Sequence, residues 1–234
     1  MQWQSIPLID VLALLWFVFC WLGYSAYADY MGKHRGTLLA VTSEYRLHWM
    51  RQMLKRDNRM VDASLIGNLL RSISFFASTT IFIVLGLFTL LKYRNEASAI
   101  LVTIPYATET TPLLWEAKIF LLVVIFVYSF FKYTWSLRQY NYACIVVGAA
   151  PLCNERNEHF EEYARNAAKL VSNAARHFSM GLRGYYFGLA ALSWFLSSYA
   201  FMVASAWVVW VLYRREFRSL AIKYLSDAAV FRDN

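Results

Sequence analysis

The chain has 234 residues, of which 59% are hydrophobic and 18% aromatic, and its formal net charge is +8 at pH 7. This composition lies outside the range of soluble globular domains and predicts an integral membrane protein. Because about 20 residues form one membrane-spanning helix, residues 1–234 predict a single transmembrane domain without a large soluble part. The basic residues lie beside apolar segments, where anionic lipid head groups attract cations, so we expect a lipid partner and no nucleic acid.

The first predicted span covers about residues 8–28 and begins after Pro7, which favours a helix start. The segment 33–59 then contains seven Lys or Arg residues but only two acidic residues, Glu44 and Asp57. This imbalance predicts a cytoplasmic location by the positive-inside rule. Within it, apolar and charged residues separate on a helical wheel, which indicates an amphipathic cytoplasmic helix over about residues 42–58.

The second predicted span, about residues 67–91, is apolar but has one small and polar side. We call this side the polar seam; it consists of Asn68, Arg71, Ser74, Ser78 and Thr79. Small and hydroxyl-bearing side chains let transmembrane helices pack closely, so the seam is expected to face protein, either as helix packing or as a substrate path. An unpaired cation near hydrocarbon is costly, which predicts that Arg71 pairs with Asp29 or Asp62.

The third predicted span, about residues 113–135, follows Pro112 and ends in an aromatic and basic belt. A second cytoplasmic helix is predicted over about residues 155–178, packed against the first one, and a fourth span over about residues 185–213. Four spans with the N-terminus outside place the C-terminal tail outside as well. That tail is basic, and a tail on the inner side would require a fifth crossing or a re-entrant stretch.

The two halves of the chain follow one pattern, in which Pro and an acidic residue open an inward span, a cytoplasmic helix follows, and a span with small residues returns outward. The predicted fold is therefore all-α: a polytopic membrane protein whose four-helix transmembrane bundle consists of two pseudo-repeated helical hairpins with two cytoplasmic amphipathic helices. Cys20, Cys144 and Cys153 are expected to remain free thiols.

Acidic and histidine side chains share a face on each predicted cytoplasmic helix. The candidates are Glu44 and His48 on the first helix, and Glu155, Glu158, His159 and Glu162 on the second. Oxygen and imidazole ligands of this kind suit a divalent metal. Solvated helix faces explain the same pattern, and both interpretations stay open.

No catalytic or nucleotide-binding motif is present: the sequence contains no nucleophile elbow, P-loop, dinucleotide fingerprint or zinc-protease helix. None of the four histidines falls within a predicted span, which argues against an intramembrane haem. We therefore predict no catalytic residues and expect no cofactor. The ionisable residues of the spans lie near an interface, which weakens the case for proton-coupled transport.

Small residues form two lines that suit close helix contacts. One line begins with Gly181, Gly184 and Gly188 and continues through Ser193, Ser197, Ala200 and Ala204; the other consists of Ser74, Ser78 and Thr79 of the polar seam. A chain of this size is expected to fill one line internally and to offer the other to a neighbouring subunit, which predicts a symmetric homo-oligomer. A monomer that packs both lines internally is the alternative.

Three stretches, RMVDASLIGNLLRSISFFASTT, FFKYTWSLRQYNYACIVVGAAP and VVWVLYRREFRS, resemble the domain of unknown function 599 family of small bacterial membrane proteins. The resemblance covers nearly the whole chain and implies a multi-pass protein of the bacterial inner membrane without a defined activity. The predicted function is a non-catalytic subunit that assembles with itself or with a larger membrane complex. The alternatives are a small channel or transporter lined by the Ser/Thr side of the second span, and a metal-binding membrane enzyme that uses the cytoplasmic Glu/His faces.

Overall fold

The computed structural model describes residues 7–32, 37–93, 111–151 and 158–227, and these residues contain no β-strand. The helices are α1 (Leu8–Met31), α2 (Leu38–Leu54), α3 (Met60–Lys92), α4 (Pro112–Ala149), α5 (Glu158–Leu192), a short 3-10 helix (Ser193–Phe195), α6 (Ser198–Phe217) and α7 (Leu220–Asp227). Among the described residues, α1, α3 and α4 are long and apolar enough to cross a membrane. The prediction of an all-α chain is confirmed for the described residues, and three of its helices have the length and composition of membrane spans.

Two apolar clusters hold the helices together. In the first, α1, α4, α5 and α6 meet around Phe17, whose ring lies 5.8 Å from Phe187 and 4.9 Å from Phe201. In the second, α2, α3, α4 and α5 meet around the fully buried Met50 and Tyr133. The second cluster packs α2 against the first half of α5, as the two amphipathic patterns predicted.

α4 and α5 run antiparallel, and α4 fills the glycine line of α5. A Cβ atom on Gly181 would lie 2.6 Å from the Tyr133 ring, and one on Gly188 would lie 2.9 Å from Phe126. Where the C-terminal half of α4 packs against the N-terminal half of α5, the Ser136 hydroxyl donates to the Ala174 carbonyl oxygen at 2.7 Å. Glycine is needed here because any larger side chain would separate the two backbones.

The prediction of one continuous span over residues 185–213 was wrong. α5 extends from the predicted cytoplasmic helix through to Leu192, and the chain then reverses at the 3-10 helix before α6 begins. The Ser197 hydroxyl caps α6 by accepting from the Ala200 N–H at 3.1 Å. Asp10 of α1 accepts from Trp194 Nε1 at 2.7 Å and from the Ser198 hydroxyl at 2.5 Å. The break therefore depends on a cap and on a distant carboxylate, neither of which interrupts the apolar pattern.

α6 runs parallel to α1, because Ser198 contacts the start of α1 while Glu216 accepts from the Tyr24 hydroxyl near its end, at 2.8 Å. The following helix α7 lies beside α2, where the Tyr45 hydroxyl donates to the Leu225 carbonyl oxygen at 2.8 Å. The basic tail is thus at the same end of the bundle as α2, and the prediction that it lies at the opposite end was wrong. The reversal after α5 supplies the additional segment that brings the tail to this end, and the repeat of two hairpins is not confirmed.

The other predicted helices are present, but their ends differ from the predicted ones. The helix predicted over 113–135 continues to Ala149, and the one predicted over 42–58 is Leu38–Leu54. Cys20 and Cys144 are free thiols, as predicted, whereas Cys153 lies outside the described residues. The metal candidate Glu155 and the side chain of Glu158 also lie outside them.

Candidate functional site

A cavity of about 570 Å³ opens at the end of the bundle where α1 and α6 finish. Its walls come from the last residues of α1, from α2, from the middle of α5 and from the end of α6. We call it the basic cavity, because the charged residues that line it are Arg46, Arg165, Lys169, Arg176, Arg183, Asp29 and Glu216.

Arg183 is the buried centre of an ion network that joins three helices. Its Nε atom donates to Glu216 Oε1 at 2.8 Å, and its Nη1 atom donates to Asp29 Oδ1 at 3.1 Å. Arg176 lies 3.4 Å from the second oxygen of Asp29. Since Asp29 belongs to α1, Glu216 to α6 and both arginines to α5, this network fixes the three helices relative to one another in the wall of the cavity.

The charge of the cavity is not balanced by its own carboxylates. Five cations line it against two acidic residues, and both acids are already engaged by Arg183. Arg165 approaches Glu161 at 3.6 Å. Within the described residues, the buried Nη1 atom of Arg46 has no hydrogen-bond partner, and Lys169 forms no ion pair. The walls therefore hold positive charge that is available to an anion.

Aliphatic and aromatic side chains form the rest of the lining. Leu38, Leu39 and Leu47 of α2 contribute one part, and Phe217 at the end of α6 contributes another. A binding site with charged and apolar walls side by side suits a ligand that has the same two parts.

The predicted ion pair between Arg71 and Asp29 was wrong. Arg71 is exposed and donates to Asn68 one turn earlier on its own helix. The alternative partner, Asp62, is fully buried and accepts from Trp49 Nε1 at 2.7 Å and from Arg56 at 2.8 Å. Asp29 instead meets Arg183, because α1 packs beside α5 and α6.

No described residue of the chain covers the polar seam of α3. Asn68, Arg71, Ser74 and Ser78 are exposed and Thr79 is half-buried. The buried side of α3 is formed instead by Ile66, Ile73, Ala77 and Thr80. The expectation that one line of small residues packs internally holds for the glycines of α5, while the polar seam faces outward from the single chain.

The candidate metal ligands that can be located do not converge. Among the described residues, no group of three or more His, Cys, Asp or Glu side chains could hold a metal ion. His48 lies 3.5 Å from Gln52 of its own helix, and Glu44, His159 and Glu162 are at the surface. The arrangement of the described side chains therefore does not support the metal hypothesis.

The contact between α2 and α5 includes an ion pair whose strength depends on pH. Arg51 Nε donates to Glu161 Oε2 at 2.9 Å, and this hydrogen bond lowers the pKa of Glu161. A lowered folded-state pKa contributes stability above the unfolded pKa and loses it as the pH falls through the folded pKa. Because the two side chains are 43% and 41% exposed, we expect the pair to contribute no more than about 1 kcal/mol.

Unfolding midpoints of the wild type and of Glu161→Gln should therefore differ near neutral pH and converge between about pH 5 and pH 3. Glu162→Gln removes a neighbouring exposed carboxylate without an ion pair among the described residues, and it serves as the control. A difference between wild type and Glu161→Gln that stays constant over this range would contradict the assignment.

The sequence did not single out Arg183 or Glu216, although both are central to the cavity. Glu216 is an acidic residue within a basic tail, and Arg183 lies between Gly181 and Gly184. An isolated acid among cations and a cation within a glycine line were the available signals, but neither indicates its partner.

The family described as "Protein of unknown function, DUF599" has a model that matches residues 12–221, and the chain therefore belongs to that family. No curated protein and no solved structure matches the chain.

Proposed function

We propose that this DUF599 protein, which comes from a family of unknown function, is a non-catalytic integral membrane protein that assembles with copies of itself or within a larger membrane complex. The observation that carries the proposal is the exposed polar seam on α3, a helix otherwise apolar enough to cross a membrane.

Packing against protein stabilises such a seam better than lipid does. Hydroxyl groups that face hydrocarbon cannot bond to water, and small residues leave shallow grooves that acyl chains fill poorly. Ser74 and Ser78 are exposed on the described chain, whereas the glycines of α5 already contact α4. A second copy of the chain that presents the same seam would cover Ser74 and Ser78 of the first copy. The two copies would then form a closed symmetric contact.

The bacterial inner membrane is the proposed location, with the basic end of the bundle in the cytoplasm. α2 and α7 lie together at one end, and their cations would favour the cytoplasmic side by the positive-inside rule. Five segments then cross or enter the bilayer: α1, α3, α4, the second half of α5, and α6. The parallel course of α1 and α6 supports this count.

Replacing Ser78 by Leu should dissociate the oligomer, because a larger side chain would hold apart two helices that meet at small residues. Native mass spectrometry from lipid nanodiscs measures the effect as a shift from a multiple of the chain mass to the mass of one chain. Ser74→Leu should act in the same direction.

Ala206→Leu is the matched control, since it enlarges another exposed small residue on a different helix, α6. It should leave the mass distribution of the wild type unchanged. A wild-type protein that stays monomeric in every nanodisc composition would contradict the proposal.

The channel or transporter alternative uses the same residues. Because the seam lies on the outside of the described part of the chain, a path lined by its hydroxyls would form between subunits. Ion flux into sealed liposomes that Ser78→Leu abolishes would favour this alternative over a purely structural assembly.

A further inference from the structure

We propose that the basic cavity binds the phosphate ester of an anionic amphiphile, such as the head group of an acidic glycerophospholipid. The inference does not rest on assembly through α3, because every residue that lines the cavity belongs to α1, α2, α5, α6 or the residues flanking α1 and α2. The ligand is identified by the charge of the cavity, by its apolar wall and by its position in the bundle.

The charge of the cavity selects an anion. Five cationic side chains line the cavity, and both of its carboxylates are held by Arg183. Arg46 lines the cavity from α2, and it forms no ion pair within the described residues. Guanidinium groups match phosphate oxygens in geometry and charge, so a phosphate in the cavity would suit its arginine-rich wall and offset the charge of Lys169.

The apolar wall selects an amphiphile over a free ion. Leu38, Leu39 and Phe217 lie beside the cations, and a small hydrated ion would leave this surface exposed to water. The volume of about 570 Å³ lies within the range of about 300–1,000 Å³ for sites that hold small organic ligands. A glycerol backbone with the start of its acyl chains could occupy the apolar part while its phosphate meets the cations.

The cavity is also where a lipid head group would be. It lies between Ala28 and Asp29 at the end of the apolar helix α1 and Glu216 at the end of α6. If α1 crosses the bilayer, these residues are near the membrane surface, at the depth of the phosphate groups. A lipid could then enter sideways from the surrounding leaflet.

The test is the binding of phosphatidylglycerol to the full-length protein, followed by native mass spectrometry from detergent micelles. The wild type should retain a bound lipid at concentrations where Arg46→Gln/Lys169→Gln does not, with affinity lowered about tenfold or more by the loss of two charge-assisted contacts. Arg138→Gln/Arg214→Gln removes the same charge from two exposed residues that do not line the cavity, and it should bind like the wild type. The unfolding midpoint of each variant, measured in parallel, shows that it is folded.

Two results would overturn the proposal. Equal retention of phosphatidylglycerol by the wild type and the cavity double variant would mean that the lipid binds elsewhere. Binding of glycerol phosphate without binding of phosphatidylglycerol would mean that the cavity takes a soluble phosphate ester. Should Arg46→Gln prove unstable, the exposed Lys169→Gln variant alone must weaken lipid binding relative to Arg138→Gln.

Discussion

Replacement of Arg183 by Met is expected to lower the free energy of unfolding by about 3–5 kcal/mol, as measured by chemical unfolding in detergent micelles. Arg183 is buried and donates to Glu216 at 2.8 Å and to Asp29 at 3.1 Å. Methionine keeps much of the volume but leaves Glu216 without its cation and Asp29 with Arg176 alone, and uncompensated charge in a partly buried site is strongly destabilising. The loss should therefore exceed that of an ordinary surface substitution.

Two further variants separate this effect from a general loss of packing or charge. Arg218→Met removes an exposed cation close to the network and should cost little. Neutralising the carboxylates in the Arg183→Met background, with Asp29→Asn and Glu216→Gln, should recover a large part of the lost stability. If Arg183→Met is no more destabilising than Arg218→Met, the three-helix network is not a stabilising feature of the protein.

The apolar helices could be predicted from sequence because each is encoded by its own residues. α1, α3 and α4 each contain an unbroken apolar run, and Pro7, Thr111 and Pro112 mark where two of them begin. The reversal near Ser197 escaped prediction because hydropathy stays high on both sides of it. Its position is set partly by the carboxylate of Asp10, which is far away in the chain.

Depth in the membrane could be predicted better than position around the bundle. Asp29 and Arg71 were matched by depth, yet Asp29 meets Arg183 on α5 while Arg71 lies on the exposed side of α3. A hydropathy pattern gives the height of a residue along a span, but which helices are neighbours depends on tertiary packing. The polar seam could be recognised from sequence because it is a pattern within one helix. The sequence did not indicate whether another part of the chain would cover it.

The basic cavity was beyond sequence reasoning because its cations come from distant segments. Arg46 belongs to α2, whereas Lys169, Arg176 and Arg183 belong to α5. Separately, each segment has the charge of an ordinary membrane-surface helix. Only the contact of α2 with α5, built on apolar residues such as Met50 and Ala167, brings these charges to one site.

The glycine line between α4 and α5 gives the second large expected effect. Gly184→Ala should lower the free energy of unfolding by about 1–3 kcal/mol, the usual range for overpacking a tight contact. The new methyl group would collide with the hydroxyl oxygen of Ser129 on α4. Gly86→Ala on α3 is the matched control, since a Cβ atom there meets nothing within 4 Å, and in a helix this exchange should be neutral or stabilising.

Ser129→Ala should restore most of the stability that Gly184→Ala removes. Within the described part of the chain, the Ser129 hydroxyl bonds to the Ile125 carbonyl oxygen of its own helix, at 3.0 Å, and to no other group, so its loss alone should cost little. Without that oxygen, the new methyl group would meet the Ser129 Cβ at 3.4 Å, an ordinary contact distance. A double-mutant cycle should thus give a favourable coupling, because the two changes act on one contact. Strict additivity would mean that Gly184 and Ser129 do not face each other, and that the antiparallel register of α4 and α5 is different from the one described.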